Sequence, residues 1–170
     1  SPTWSSVDLF INNGGTSDWN AQVNTGTSDF ENHVYCRVRN VGDAAATGVT
    51  VSFQYAKIGS ASTGWLPMVD KNGVTQTLSI GTLAAGTESF LDSQQNTPPA
   101  TAMVKWFIPP IPSGETVDHY CIRAVVSATN DVNAHNNEVQ SNIAYVLFSG
   151  LTDLAPFRFM VRNPTRKRLR

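Results

Sequence analysis

The stretch that decides the fold is HVYCRVRN at positions 33–40. Its side chains alternate between two faces with a period of two residues, which is the pattern of a β-strand. One face holds apolar groups and the other holds two arginines: Val34, Cys36 and Val38 alternate with Tyr35, Arg37 and Arg39. Because the arginine face has to meet solvent or a partner, we expect Val38 in the core and Arg37 and Arg39 exposed.

The same period recurs on both sides of this stretch. In VTVSFQY at 49–55 every second residue is apolar, which is typical of an antiparallel strand with one buried face. Further strands are predicted at 7–11, 74–80, 103–108, 119–126 and 139–148, with a long polar connection at 19–29. Prolines at both ends of 103–108 indicate a strand at a sheet edge. Val126 should be as deeply buried as Val38.

Length and composition agree with this strand pattern. The 170 residues correspond to one domain, 41% of them are hydrophobic, and only 15% are charged. Ser, Thr and Asn make up more than a quarter of the chain, and they suit the turns and outer faces of an all-β protein. We therefore predict that residues 1–150 form an all-β fold, an immunoglobulin-like antiparallel β-sandwich of seven to eight strands.

Charge is distributed unevenly along the chain. Residues 1–157 contain 6 basic and 13 acidic side chains, whereas residues 158–170 contain 6 basic side chains and no acid. An acidic body does not attract phosphate groups, so we expect no nucleic-acid partner. The longest purely apolar run, at 143–148, is far too short to span a bilayer, so we expect no membrane insertion.

Three short motifs resemble those of a known family. They are VRNVGDA at 38–44, LAAGT at 83–87, and YCIRAVV at 120–126 followed by NNE at 136–138. In this order and spacing they resemble the CARDB-type (cell-adhesion-related) immunoglobulin-like domains of bacterial and archaeal exported proteins. The resemblance implies a non-catalytic structural, adhesion or spacer module of a multidomain exported bacterial protein. It also implies an extracellular or cell-surface location and partners among proteins, surface glycans and adjacent domains.

The basic C-terminal extension at 151–170 needs its own explanation. Its segment FRFMVRNP at 157–164 alternates like a strand, so we interpret it as the first strand of a following, truncated domain. The alternative is a strand that pairs back onto this sandwich or onto a second copy, which would give self-association through the C-terminal strand.

Candidate catalytic groups are few. The histidines are His33, His119 and His135, and no Gly-x-Ser-x-Gly nucleophile motif occurs. Asp118 adjoins His119, but neighbours on a strand point to opposite faces, so they do not form an acid–histidine pair easily. We predict no catalytic residue and no enzymatic activity.

Two weak indications of a metal site are present. His33 and His119 open strands that could be sheet neighbours, and the segment 130–138 supplies side-chain oxygens of the kind that bind calcium. Neither set is complete, and Asn133-Ala134-His135 stands where the CARDB-type family has acidic residues. An ordinary Asn-rich turn is the alternative. We predict no metal site and no cofactor.

Trp19 and Trp65 are the candidate binding residues. Both lie in long segments rich in Ser, Asn and Gly, where an exposed indole beside amide and carboxylate groups could form a sugar platform. The alternative is that each indole anchors its loop on the core. A sugar platform would make the protein a carbohydrate-binding accessory module of a secreted hydrolase, and several tryptophans on one exposed face would favour that function.

Cys36 and Cys121 fall in the two strands that a disulfide joins in antibody-like domains. Cys36 shares its strand face with the apolar Val34 and Val38, whereas Cys121 shares its face with His119 and Arg123. Cysteines on the core side of one strand and the outer side of another cannot come within bonding distance. We therefore favour two free thiols over a disulfide.

Overall fold

The computed structural model describes residues 8–13, 20–24, 29–59, 64–86, 103–131 and 137–147. Within these ranges all regular structure is strand and none is helix. The strands in chain order are β1 Leu9–Ile11, β2 Asn20–Val23, β3 Asn32–Cys36, β4 Ala46–Gly59, β5 Leu66–Pro67, β6 Thr77–Leu83, β7 Met103–Trp106, β8 Val117–Ser127 and β9 Glu138–Leu147.

The strands form two sheets that enclose one core. The smaller sheet has the order β1-β3-β7, and the larger one has the order β2-β9-β8-β4-β5, with β6 also paired to β4. Inward-facing apolar side chains of both sheets pack into a single cluster, whose largest members are Trp106, Tyr120, Phe53, Leu9 and Ile11. This arrangement confirms the predicted all-β sandwich.

The long antiparallel pair β4–β8 forms the centre of the larger sheet. Phe53 lies opposite Ala124 and Tyr55 lies opposite Ile122, and all four side chains are buried. The ring of Tyr55 also contacts the ring of Trp106 across the core, with their centroids 5.2 Å apart. The predicted strand at 49–55 is therefore confirmed, and β4 extends beyond it at both ends.

Residues 19–29, predicted as a polar connection, contain an additional strand. β2 pairs in parallel with β9, with Ala21 opposite Tyr145 and Val23 opposite Leu147. The prediction of a polar connection throughout 19–29 is wrong, and β2–β9 is the parallel strand pair of an otherwise antiparallel sandwich among the described residues. A four-residue strand of sequence NAQV has too little alternation to be distinguished from a loop, which explains why it was missed.

Among the described residues, the outer edge of β2 is held by a side chain and by an isolated backbone bridge between Val23 and Ile108, and not by a full strand. Asn32 is fully buried and accepts the backbone N–H of Gln22 at 2.7 Å. Its Nδ2 donates to the carbonyl oxygens of Gln22 at 3.0 Å and of Trp106 at 3.2 Å. The carboxamide of Asn32 thus replaces the peptide group of a neighbouring strand and links the two sheets.

The outward side of β3 differs from the prediction. Arg39 is exposed and Val38 is buried, as expected, but Arg37 is only 7% exposed and Tyr35 only 9%. Tyr35 stacks on Phe10 of the neighbouring strand, with ring centroids 5.4 Å apart. Nη1 of Arg37 lies 3.4 Å from a carboxylate oxygen of Asp8. The register is therefore correct, and the expected exposure of Arg37 is wrong because Asp8, the residue before β1, supplies its partner.

Several predicted boundaries shift. β3 ends at Cys36, and β6 occupies Thr77–Leu83 rather than 74–80. The edge position of the proline-flanked strand is confirmed, because β7 ends the three-stranded sheet. Val126 is half-buried against the core rather than deeply buried, since it lies one residue from the end of β8. The extension 151–170 lies outside the described residues.

Candidate functional site

Trp65 lies on the outer face of the six-stranded sheet. Leu66 pairs with the inward-facing Tyr55, and Pro67 pairs with Gln54 on the outer side of β4. Directly opposed residues of antiparallel strands share a face, so Pro67 lies on the outer face with Gln54. Trp65, two residues before Pro67, lies on the same face, beside Ala56. Trp65 is half-buried and retains an exposed part of its surface.

The guanidinium of Arg123 stacks on the indole of Trp65. The Cζ atom of Arg123 lies 4.3 Å from the ring centroid, which is a close cation–π contact. Arg123 stands in a cross-strand row between Gln54 on β4 and Gln140 on β9. This register brings residues that are far apart in sequence into one row.

The row forms a connected polar network. The Nε of Arg123 donates to Oε1 of Gln54 at 2.9 Å, and its Nη2 donates to the same oxygen. Its Nη1 lies 3.3 Å from a carboxylate oxygen of Glu138. The amide of Gln140 donates to the other oxygen of Glu138. One positive and one negative group thus neutralise each other within a row of amides. We call Trp65, Gln54, Arg123, Glu138 and Gln140 the outer-face site.

A second row on the same face contains Cys121. Its Sγ donates to Oδ1 of Asn142 at 3.0 Å, and burial raises the pKa of the Cys121 thiol. Cys36 lies in the core between the sheets, where burial and then Asp8 raise its thiol pKa to about 12. Both cysteines are free, which confirms the argument from face parity.

The other candidate residues do not come together. Trp106 is completely buried in the core, and Trp19 lies outside the described residues. Among the described tryptophans, Trp65 alone contributes to the outer face. His33 belongs to β3 and His119 to β8, so these histidines lie in different sheets, and the expectation that their strands could be neighbours is wrong.

The carboxylates in the described part of the 130–138 segment already have protein partners. Nδ2 of Asn137 donates to Asp131 at 2.5 Å, and Glu138 belongs to the outer-face site. Residues 132–136 lie outside the described residues. Within the described ranges, no group of three or more His, Cys, Asp and Glu side chains is placed to hold a metal ion.

The outer-face site was only half predictable from sequence. Trp65 was identified as an indole in a polar segment. The strand alternation placed Gln54 and Arg123 on outer faces, but it gave no indication that Gln54, Arg123 and Gln140 stand in one row. A cross-strand register depends on the lengths and bulges of the intervening segments, which periodicity does not report.

Comparison with known proteins yields a fold-level likeness. No protein-family model and no curated protein matches the chain. One solved structure that it resembles is a CARDB domain. This is the CARDB domain of the PF1109 protein in complex with di-metal ions from Pyrococcus furiosus, at 15% sequence identity and a TM-score of 0.43. The alignment covers 82% of this chain and 88% of that chain.

That solved domain belongs to the family whose motifs the sequence resembles. The fold assignment itself rests on the two sheets and their shared core. In the part of the chain that the structure describes, no helix has the length and apolar character needed to cross a membrane.

Proposed function

We propose that the protein is a non-catalytic spacer module that carries load along its long axis within a multidomain exported bacterial protein. The observation that carries the proposal is the parallel pairing of β2 with β9. The CARDB-type sequence motifs support the assignment to an exported, surface-located adhesion protein with neighbouring domains as its partners.

The described chain enters the sandwich at one end. The carbonyl of Asp8 accepts the N–H of Arg37 at 2.7 Å, so Asp8 lies beside Arg37. Asn40 follows Arg37 by three residues. Nδ2 of Asn40 donates at 3.0 Å to the carbonyl of Leu83, which pairs with the first residue of β4, Ala46. The entry point therefore lies toward the end at which β4 begins.

The described chain leaves at the opposite end. β9 begins near the entry end, where Glu138 pairs with Val125 close to the end of β8. Its 10 residues then run away from that end for about 33 Å to Leu147, which pairs with Val23. A module that is entered at one end and left at the other can separate its neighbours by its own length.

Parallel pairing determines how such a module meets tension. Force between the two ends acts first on β9 and on β1, which is held by β3 in the other sheet. Once β1 has yielded, β2 and β9 are pulled in opposite directions along their axes, so the hydrogen bonds that join them are loaded together in shear. An antiparallel pair pulled from one end instead opens one bond at a time. The β2–β9 pair, with Asn32 fastening the outer edge of β2, therefore resists force along the long axis.

The reactive side chains support a non-catalytic function. The thiol of Cys36 is buried with a pKa of about 12, far from the thiolate that nucleophilic catalysis requires. Cys121 is buried and bonded to Asn142, and His33 and His119 lie in separate sheets. The di-metal ions named for the solved CARDB domain are a property of that protein, and the proposed function requires no metal.

The test is single-molecule force spectroscopy with two pulling directions. Handles at the two termini load β1 against β3 first and then β2 and β9 in shear. A handle at Glu115→Cys, close to the start of β8, combined with the C-terminal handle pulls the antiparallel β8–β9 pair apart from its open end. We expect unfolding at a clearly higher force in the end-to-end direction.

A variant that removes one β2–β9 hydrogen bond tests whether these bonds carry the load. Gln22 turns its N–H and carbonyl toward Asn32, so Ala21 turns its own toward β9. Ala21→Pro should lower the end-to-end force and leave the Glu115 direction unchanged. Equal forces in the two directions for the unsubstituted protein would refute the load-bearing function.

A carbohydrate-binding accessory module of a secreted hydrolase is the second candidate. The observation that favours it is the exposed part of Trp65 beside the amides of Gln54 and Gln140. The single described tryptophan on this face favours the spacer as the principal function.

A further inference from the structure

We propose that the outer-face site binds a neutral polysaccharide chain, with one sugar ring on Trp65. The site consists of Trp65, Gln54, Arg123, Glu138 and Gln140, as defined above. This assignment does not depend on the load-bearing function, because it concerns the outer face of the larger sheet rather than the β2–β9 pair.

The geometry of the site is a strip across the sheet. Gln54, Arg123 and Gln140 stand on adjacent strands β4, β8 and β9, so neighbouring side chains are about 4.8 Å apart along the strip. Pro67 stands at the β5 end of this row. Trp65 belongs to the next row, beside Ala56, and its ring reaches the guanidinium of Arg123. Successive sugar rings of an extended polysaccharide are spaced on a similar scale, so a chain laid across the strands meets one polar side chain per strand.

The indole is held in place before any ligand arrives. The stacked guanidinium of Arg123 covers one side of the Trp65 ring, and two hydrogen bonds from Arg123 to Gln54 fix that guanidinium. A ring that is already ordered loses less conformational entropy on binding. The part of the ring that remains exposed offers the apolar surface that packs against the C–H groups of a sugar.

Charge selects the class of polysaccharide. Arg123 is paired with Glu138 at 3.3 Å, so the site carries no net charge. Oε1 of Gln54 already accepts from Arg123, and Nε2 of Gln140 already donates to Glu138. The amide groups outside this network are Nε2 of Gln54, a donor, and Oε1 of Gln140, an acceptor, and sugar hydroxyls can pair with both. An anionic chain would have to break the Arg123–Glu138 pair and would meet the repulsion of Glu138. A neutral polyol chain is therefore the complementary ligand.

The experiment is a titration of ¹⁵N-labelled protein with soluble oligosaccharides. The panel contains neutral oligomers of glucose, xylose, mannose and N-acetylglucosamine, with oligogalacturonate as the anionic comparison. The indole N–H signal of Trp65 is assigned by its loss in Trp65→Phe. We expect at least one neutral oligomer to shift this signal in a saturable manner below about 10 mM, an affinity in the range of weak specific binding.

Three variants locate the binding energy. Trp65→Ala should weaken binding at least about tenfold, as expected for a central aromatic contact. Gln140→Ala should weaken it by a smaller factor, and Val74→Ala, which removes an exposed apolar side chain away from the site, should leave it unchanged. Circular dichroism and thermal melting establish that each variant is folded.

Three results would overturn the proposal. They are no saturable shift with any neutral oligomer up to the highest concentration, equal affinity in Trp65→Ala and the unsubstituted protein, and preference for the anionic oligomer. None of them bears on the force measurement, so failure of this site leaves the spacer function standing, and failure of the spacer function leaves this site standing.

Discussion

β3 and β8 each lie inside a sheet, and each has a cysteine with an arginine within two residues of it, yet the surroundings of the two pairs differ. On β3, the cysteine faces the core and the adjoining Arg37 has a side chain only 4% exposed, paired with Asp8. On β8, Cys121 faces outward and Arg123 lies on a partly open polar face with Trp65. Both strands have the same period of two.

The difference shows what covers an outer sheet face. The three-stranded sheet carries a second apolar cluster on its outer side, formed by Phe10, Tyr35 and Met103 on three adjacent strands. The six-stranded sheet carries the polar row Gln54, Arg123 and Gln140 on its outer face. Alternation within one strand separates the two faces, and the side chains of neighbouring strands decide whether the second face is apolar or polar.

The largest expected loss of stability concerns Asn32, the first residue of β3. Asn32→Leu should lower the free energy of unfolding by about 3 kcal/mol, because it leaves the N–H and carbonyl of Gln22 without their buried partner. Urea denaturation measures the change. Asn72→Ala, in an exposed turn, is the control and should change stability by less than about 0.5 kcal/mol. A loss below about 1 kcal/mol for Asn32→Leu would show that Asn32 does not fasten β2.

The next effect separates Arg37 from Arg39. Arg37→Ser should lower the free energy of unfolding by about 2 kcal/mol, since it removes a buried side chain and leaves Asp8 without its buried guanidinium partner. Arg39→Ser should cost less than about 0.5 kcal/mol, because Arg39 is exposed and its ion pair with Asp8 is screened by solvent. Equal losses of unfolding free energy for the two variants, measured by urea denaturation, would mean that the burial of Arg37 does not contribute to stability.

A third effect is the dependence of stability on pH that the buried Cys36 thiol causes. Burial raises the pKa of Cys36 from 9.0 to about 12, so the folded protein keeps a proton that the unfolded chain loses above pH 9. Stability should therefore fall as the pH rises from 9 toward 12, by at most about 1.4 kcal/mol per pH unit for this group. Urea denaturation at pH 8 and pH 10 should show a smaller decline in Cys36→Ala than in the unsubstituted protein. An identical loss of stability in Cys36→Ala and the unsubstituted protein would mean that groups other than Cys36 cause the decline.

The smallest effect concerns Arg123. Arg123→Ser should lower the free energy of unfolding by about 0.5 to 1 kcal/mol, because the cation–π contact and the pair with Glu138 lie on a partly solvated face. Thermal and urea unfolding measure the loss. A cost as large as that of Arg37→Ser would remove the distinction between the two faces.

Particular residues show how far the sequence could predict this molecule. The alternation in 33–40 and 49–55 predicted which side chains enter the core, and face parity predicted that Cys36 and Cys121 stay apart. The parallel strand β2 was not predictable, since its four residues owe their conformation to β9 and Asn32 rather than to local pattern. Trp65 was identified by its residue type, but its contact with Arg123 depends on the packing of β5 against β4.

The central claim is that β2 is a stable part of the sandwich, fastened between β9 and Asn32. Amide hydrogen exchange at Ala21 and Val23 tests it most directly, because an edge strand that frays exchanges much faster than the protein unfolds. We predict that these two amides exchange as slowly as those of Ile122 and Ala124 at the centre of β8. Exchange within seconds at Ala21 and Val23, with protection kept in β8, would contradict the account, since a strand that opens freely cannot bear load.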